Sequence, residues 1–329
     1  MLVVASLWML QVALAAPLPL GEKGLRFQVE KGSSLSGTLR KLEGNGVIYW
    51  PRLVLAYAYW EGKTEIHSGE YLIPRGSTAT DLIGRLNRGE VTTYRLTLVE
   101  GWTFRQALQK IRSGQRVVKS EAVSSVRAAA RLLGLEEGSV EGWLFPDTYV
   151  YRSGTTDIEL LRQAHERMRR VLEEEWQAKG EGLPYASSYE ALIMASLIEK
   201  ETGQPSERSE IAGVFVRRLN KGMRLQTDPT VIYGLGEDYD GNLTRAHLRA
   251  STPYNTYVIN GLPPTPIALP GRAAIRAALN PKPGKSLYFV GKGDGSHHFS
   301  ATLTEHNRAV REYQLKRRAD YRSSPAEGN

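Results

Sequence analysis

Two glutamates, Glu199 and Glu201, stand on either side of one lysine at the end of the apolar run "EALIMASLIEKETG". Ser187 and Glu190 have capping-box spacing and Gly203 is suited to stop a helix, so the pattern predicts a helix from Ser187 to Gly203. Ala191, Leu192, Ile193, Met194, Ala195, Leu197 and Ile198 cover almost its whole circumference, which makes it a central, buried helix. At about 100° per residue, Glu199 falls on the line of Leu192, Ala195 and Ser196, and Glu201 falls opposite, near Met194 and Leu197. The two carboxyls therefore do not form a dyad through this helix. A helix C-terminus disfavours a carboxylate by about 0.3–1 kcal/mol, and burial disfavours it further. A carboxylic acid kept protonated near neutral pH can give its proton to a leaving group. The bland alternative is a helix that ends at the surface, with both glutamates solvated beside Lys200.

Downstream segments weigh towards chemistry. "RLNKGMRLQTDPTVIYGLG" gathers Gln226, Thr227, Asp228 and Tyr233 around a proline turn, and "STPYNTYVINGLPPTPIALPG" adds Tyr254, Asn255, Thr256 and Tyr257 before a proline-rich loop. Amides, hydroxyls, a carboxylate and aromatic rings on rigid backbone are what a sugar-binding cleft uses, since rings stack on sugar faces and the polar groups read hydroxyls. His297, His298 and His306 lie close together in sequence, but adjacent histidines on a strand point to opposite faces and no His-Glu-x-x-His spacing exists. "SLYFVGKGDGSHHFSATL" reads as a hairpin with a glycine-rich turn. No metal and no cofactor are expected. There is no nucleophile elbow and no phosphate-binding loop, and the absence of cysteine excludes disulfides, thiolate metal sites and a cysteine nucleophile.

The elements that must position these groups divide into a small and a large part. "FQVEKGSSLSGTLRKL", "EYLIPRGSTATDLIGRL" and "RLTLVEGWTFRQALQKI" each read as a strand, a glycine (Gly32, Gly76, Gly101) and a helix capped two residues later by Ser34, Thr78 or Thr103. From about Tyr94 a larger unit begins. It carries "VEGWLFPDTYVY", whose Trp143, Phe145, Tyr149 and Tyr151 suit a core more than a cleft, and a Glu/Arg-rich stretch from Asp157 to Lys179 that reads as a solvated helix with intrahelical ion pairs. The last residues read as a helix end and a disordered tail.

With 329 residues and ordinary apolar content there is room for two domains, and a net charge of +8 suits a polyanionic partner. "MLVVASLWMLQVALAAPLPL" has no charge before Glu22 and belongs in a membrane, as an anchor or a cleaved signal. It lacks the basic residues expected before such a run, which predicts that the natural chain starts further upstream with a short basic tail. The body of the protein is thereby expected outside the cytoplasmic membrane, away from nucleic acid.

"ASLIEKETG", "IAGVFVRRLNKGMRLQTDPTVIYGLG", "STPYNTYVINGLPPTPIALPG" and "LYFVGKGDGSHHFSATLTEHN" closely resemble the endolytic murein transglycosylase (MltG, YceG-like) family over nearly the whole chain. The resemblance implies an α+β chain: an N-terminal membrane anchor (1–20), a LysM-like strand/helix module (24–93), a mixed α+β catalytic domain (94–318) and a C-terminal tail (319–329). It implies a single-pass bacterial inner-membrane protein whose catalytic domain lies in the periplasm. There it would cut nascent peptidoglycan strands internally, as a lytic transglycosylase that forms 1,6-anhydromuramyl ends, with peptidoglycan synthases as partners. Carried over by residue, the family's catalytic glutamate matches Glu199, and Gln226, Thr227, Asp228, Tyr233 and Tyr254 to Tyr257 become cleft residues. Glu201 is expected to be structural or orienting. Two rival readings stay open, a water-using muramidase with Asp228 as second carboxylate and a non-catalytic peptidoglycan-binding scaffold.

Overall fold

A computed structural model describes residues 11–135 and 139–315, and it resolves the chain into two compact units. The start of the apolar segment and the tail from residue 316 lie outside the described residues. The first unit holds residues up to Leu96 together with Gly114–Val118 and Val150–Thr156. Its elements run β1 (Leu25–Val29), α1 (Leu35–Gly44), α2 (Pro51–Trp60), β2 (Gly69–Ile73) and α3 (Ala79–Arg88), with β1 antiparallel to β2 and Leu25 opposite Ile73. The core of this unit is Leu39, Leu42, Val54, Tyr71, Ile73, Leu82, Ile83 and Leu86, against which Leu14, Leu18 and Leu20 also pack. The end of the apolar N-terminal run is thus tied into the unit, and Pro17 bridges to Thr78. Among the described residues no helix is long and apolar enough to cross a membrane.

The strand, glycine, helix punctuation appears three times as expected. Gly32, Gly76 and Gly101 all take positive φ (83°, 87° and 76°), which favours a residue without Cβ. Ser34, Thr78 and Thr103 each accept a hydrogen bond from the backbone N–H three residues on, and Asp81 and Gln106 return the bond to complete capping boxes. The third repeat joins β3 (Thr93–Thr97) to α4 (Phe104–Arg112).

Continuing along the chain, α5 (Val126–Leu132), β4 (Thr148–Arg152), α6 (Asp157–Gln177), α7 (Ser188–Glu201), α8 (Arg208–Asn220), α9 (Asp228–Leu235), α10 (Arg245–Arg249) and α11 (Arg272–Leu279) precede the hairpin β5 (Tyr288–Gly291) and β6 (His297–Ser300), and α12 (Leu303–Val310) follows. β4 pairs with β3, and β5 pairs antiparallel with β6. In the second unit α7 is the centre, packed against α6, α8, α9 and α11. Every residue from Ala191 to Ile198 is buried, so this helix shows no polar face. Ser196 is the buried exception in chemistry: its hydroxyl donates to the Ile193 carbonyl and accepts from the Ile267 N–H at 3.0 Å, which fixes the proline-rich loop on the helix.

Two expectations change. α7 ends because Thr202 turns extended (φ −143°, ψ 133°), not because Gly203 adopts a left-handed turn. α6 is not a solvated rod: Leu160, Leu161, Ala164, Met168, Val171 and Leu172 form a buried stripe. Its best-placed acid also pairs outside the helix, since Glu175 accepts from Arg272 at 3.0 Å and from Arg276 at 2.8 Å, both on α11. The charged positions alternate with apolar ones at a period that serves a half-buried helix equally well. Phe145, Tyr149 and Tyr151 are core, and Trp143 stacks on Tyr189.

Gly213 shows how closely α8 is approached. A Cβ there would clash with the Lys282 carbonyl oxygen. Alanine normally stabilises a helix interior by about 1 kcal/mol over glycine. Here Gly213→Ala is expected to destabilise by about 1–3 kcal/mol through overpacking against backbone, measured by urea denaturation; a more stable variant would contradict the packing described.

Candidate functional site

The two glutamates of α7 leave the helix on opposite sides and meet different surroundings. Glu199 is buried against a cation: its Oε1 accepts from Arg208 Nη2 at 3.1 Å, and its Oε2 accepts from the Gly271 N–H at 2.9 Å. Arg208 also lies 3.6 Å from Glu100. Burial pushes the Glu199 carboxyl above its ordinary range, while the Gly271 N–H and Arg208 pull it back down.

Among the described residues no cation pairs with Glu201. Its carboxylate accepts from the Thr227 hydroxyl at the N-cap of α9. Burial pushes its pKa up to about 7, against the downward pull of the Thr227 bond, and the nearby Asp228 charge adds to the rise. A buried carboxyl without a cation protonates rather than carry an uncompensated charge. The outcome is an acid that holds or releases a proton around neutral pH.

Glu201 also lines a cavity of about 540 Å³, whereas Glu199 is not among the residues that line it. Around the wall stand Arg218, Gln226, Asp228 and Tyr257 from the helical side, with Tyr288, Phe289 and His297 from the β5–β6 hairpin and His306 and Asn307 from α12. Gln226 takes positive φ (55°), a rare state for a residue with a Cβ, and its side chain accepts from Arg218. Asp228 accepts from the Tyr257 hydroxyl at 2.6 Å. Burial first, and then that anion, raise the Tyr257 phenol, so it stays a donor. Arg218 is buried, and it donates from Nε to the Arg224 carbonyl at 2.8 Å and from Nη1 to the Leu287 carbonyl at 3.1 Å while lying over the Tyr288 ring. His297 is oriented from behind, because Glu207 takes both its backbone N–H at 2.9 Å and its Nδ1 at 2.7 Å. His298 turns to the other face of β6 and meets Tyr313.

The polar residues marked in the sequence separate into two sets. Gln226, Asp228 and Tyr257 line the cavity, and Thr227 holds Glu201. Tyr233, Tyr254, Asn255 and Thr256 do not line it. Tyr233 donates to the buried Glu141 at 3.0 Å and packs on Tyr254, whose hydroxyl meets Thr265. Asn255 spends its amide N–H groups on the carbonyls of His247, Leu248 and Ala250, which ties the loop shut. Thr256 accepts from the Thr227 N–H at 3.0 Å and so sets the N-terminus of α9 from below. Amides and hydroxyls serve turns as readily as ligands, and spacing does not separate the uses. Arg218 and Tyr288 join the site without a sequence signal, and His306, noted in the sequence only as a possible metal ligand, stands in the cavity wall. Arg218 looks like one basic residue of an ordinary helix, and only its place under Gln226 gives it a role.

Among the described residues no group of three His, Cys, Asp or Glu side chains could hold a metal ion. The arrangement offers an enclosed acid, a nearby carboxylate fixed by a phenol, a buried guanidinium and aromatic walls. It can protonate a leaving group and stabilise positive charge in a polar, ring-shaped ligand.

Residues 27–312 match the model of a family described as the YceG-like family. An endolytic murein transglycosylase of Bacillus subtilis (strain 168) is 30% identical over 306 residues, which cover 88% of this chain and 84% of that protein. An endolytic murein transglycosylase of Streptococcus pneumoniae serotype 2 (strain D39 / NCTC 7466) is 27% identical over 341 residues, covering 92% of this chain and 61% of that protein. A crystal structure of a yceG-like protein from Listeria monocytogenes is similar with a TM-score of 0.54 at 29% identity, covering 88% of this chain and 99% of that one.

The origin of the Glu201 proton affinity can be tested by titration followed with carbon-13 NMR of labelled glutamate. Thr227→Val removes a donor to the carboxylate, so the midpoint should rise above about 7, and Asp228→Asn removes a negative neighbour, so it should fall. An unchanged midpoint in both variants would contradict the stated causes.

Proposed function

The chain belongs to the YceG-like family, and from that membership and the geometry of the cavity we propose that it is an endolytic murein transglycosylase in which Glu201 is the acid. It cleaves peptidoglycan glycan strands internally, between N-acetylmuramic acid and N-acetylglucosamine. The observation that carries the assignment is the placement of the two glutamates: burial raises the proton affinity of both, but Glu199, the residue expected from the sequence, is held by Arg208 and Gly271, while Glu201 lines the cavity.

In this reading protonated Glu201 donates to the glycosidic oxygen as the bond to the muramyl C1 breaks. Asp228, anchored by Tyr257, offsets the positive charge that develops on the sugar ring. The Glu201 carboxylate then takes the proton of the muramyl C6 hydroxyl as O6 bonds to C1. The 1,6-anhydro ring closes, the acid is regenerated and no water is consumed. A muramidase would instead need a water activated by the second carboxylate, and Asp228 is the group for that role.

Two further expectations enter as parts of the same proposal. Residues 24–93 form a LysM-like module and residues 94–318 the catalytic domain, which the strand, helix, helix, strand order of β1 to β2 supports. The uncharged N-terminal sequence supports attachment to the inner membrane, with the catalytic domain in the periplasm.

The test is incubation with uncrosslinked glycan strands and identification of the new ends by mass spectrometry. Anhydro ends from internal cuts are expected, with turnover falling as pH rises above about 7, where Glu201 loses its proton. Glu201→Gln should reduce turnover roughly 10²–10⁴-fold with the fold intact. Glu199→Gln should mainly lower stability, by about 1–3 kcal/mol, because it leaves Arg208 short of its partner. The reverse pattern, a dead Glu199→Gln beside an active Glu201→Gln, would return the acid to Glu199, and reducing ends would make the enzyme a muramidase.

A further inference from the structure

α2 in the first unit breaks the usual rule for a surface helix. Its sequence, PRLVLAYAYW, contains no acid and no amide, and Arg52 is its one charged residue. Such a helix is ordinarily buried all round. Here Val54 and Ala58 are its buried residues, and the outer surface stays apolar and aromatic. Trp60 is 83% exposed and Tyr59 69% exposed, and Tyr49, just before the helix, is 64% exposed. A surface cluster of large rings on an apolar helix marks a contact with something apolar outside the chain.

Two neighbouring features say what that something is. Tyr49 and Trp50 line a hollow of about 590 Å³ whose charged wall residues are Arg40, Arg52 and Glu43, two cations to one acid. The same two rings line a second hollow of about 290 Å³ together with Val12, Ala13 and Ala16. The apolar N-terminal run therefore meets this unit on its aromatic patch, and the ten residues before Gln11, MLVVASLWML, carry no charge. Rings, aliphatic side chains and arginines at one face have the composition of a protein surface at the headgroup level of an anionic bilayer. A glycan would call for several amides and carboxylates beside the rings; α2 offers none, and the hollow beside it offers Glu43 alone.

We infer that α2, with Tyr49 and Trp50, is a membrane-docking face that lays the first unit against the lipid surface, its rings in the interface and Arg40 and Arg52 on anionic headgroups. The face is a second contact, additional to whatever the apolar N-terminal run itself inserts. It stands on these residues and not on the catalytic reading, so a protein without cleavage activity that still docks leaves it intact.

The chain has no cysteine, so one introduced thiol carries one label. Ala56→Cys places an environment-sensitive fluorophore on the exposed side of α2 while keeping the rings, and Lys221→Cys places the same probe on an exposed site of the second unit. The full chain is mixed with vesicles of phosphatidylethanolamine and phosphatidylglycerol, some carrying lipids with a quencher near the headgroup. The label at 56 should shift to the blue and be quenched, and the label at 221 should not. Adding Tyr59→Ser and Trp60→Ser should weaken the response at 56 roughly tenfold or more, since both rings lose the apolar surface that they would bury in the interface. A probe at 56 that stays water-like on vesicle-bound protein would overturn the proposal. So would a shift that needs concentrated protein without lipid, which means a second copy covers the face, or one produced by glycan strands instead of vesicles.

Discussion

The structure depends on an unfavourable demand: a helix apolar on every side must end inside the protein and still carry two carboxyls on its last turn. Burial penalises both glutamates as anions, and the helix terminus adds partial negative charge. Each must find a partner or protonate. Glu199 finds Arg208 and the Gly271 N–H, and Glu201 finds a hydroxyl. A cation and a hydroxyl differ greatly in how well they support a buried charge, so one demand is met by an ion pair on one side and by a lone hydroxyl facing a cavity on the other.

The surrounding elements make sense as consequences. Arg208 opens α8, Gly271 precedes α11 and Thr227 caps α9, so the end of α7 is the point where three other helices are registered. Ser196 ties the proline-rich loop to the same helix, and Glu175 clamps α11 to α6 through two arginines. The cavity wall is then completed by the β5–β6 hairpin, which supplies Tyr288, Phe289 and His297. A cavity built on packed helices keeps its acid in place more narrowly than one built on loops.

Local punctuation was legible in the amino-acid sequence because it is set by local physics. Caps at Ser34, Thr78, Thr103 and Ser187, the glycine turns and the His297 hairpin all depend on residues a few positions apart. The opposite directions of Glu199 and Glu201 were legible too, from helical geometry alone. What spacing did not disclose is which direction leads to a cavity, since that is decided by Arg208 on one side and Thr227 on the other, partners brought in by the fold. The same blindness put Asn255 and Thr256 among the ligand groups, although their polar atoms are consumed in holding a loop and a helix end.

The central claim is that the scissile bond meets Glu201, and the most direct measurement is a crystal structure of the Glu201→Gln protein with a glycan of alternating N-acetylmuramic acid and N-acetylglucosamine. The account predicts the glycosidic oxygen within hydrogen-bond distance of the residue 201 amide, with the sugar rings running past Asp228 and Tyr257. A glycan seated with that oxygen against Glu199 would contradict it.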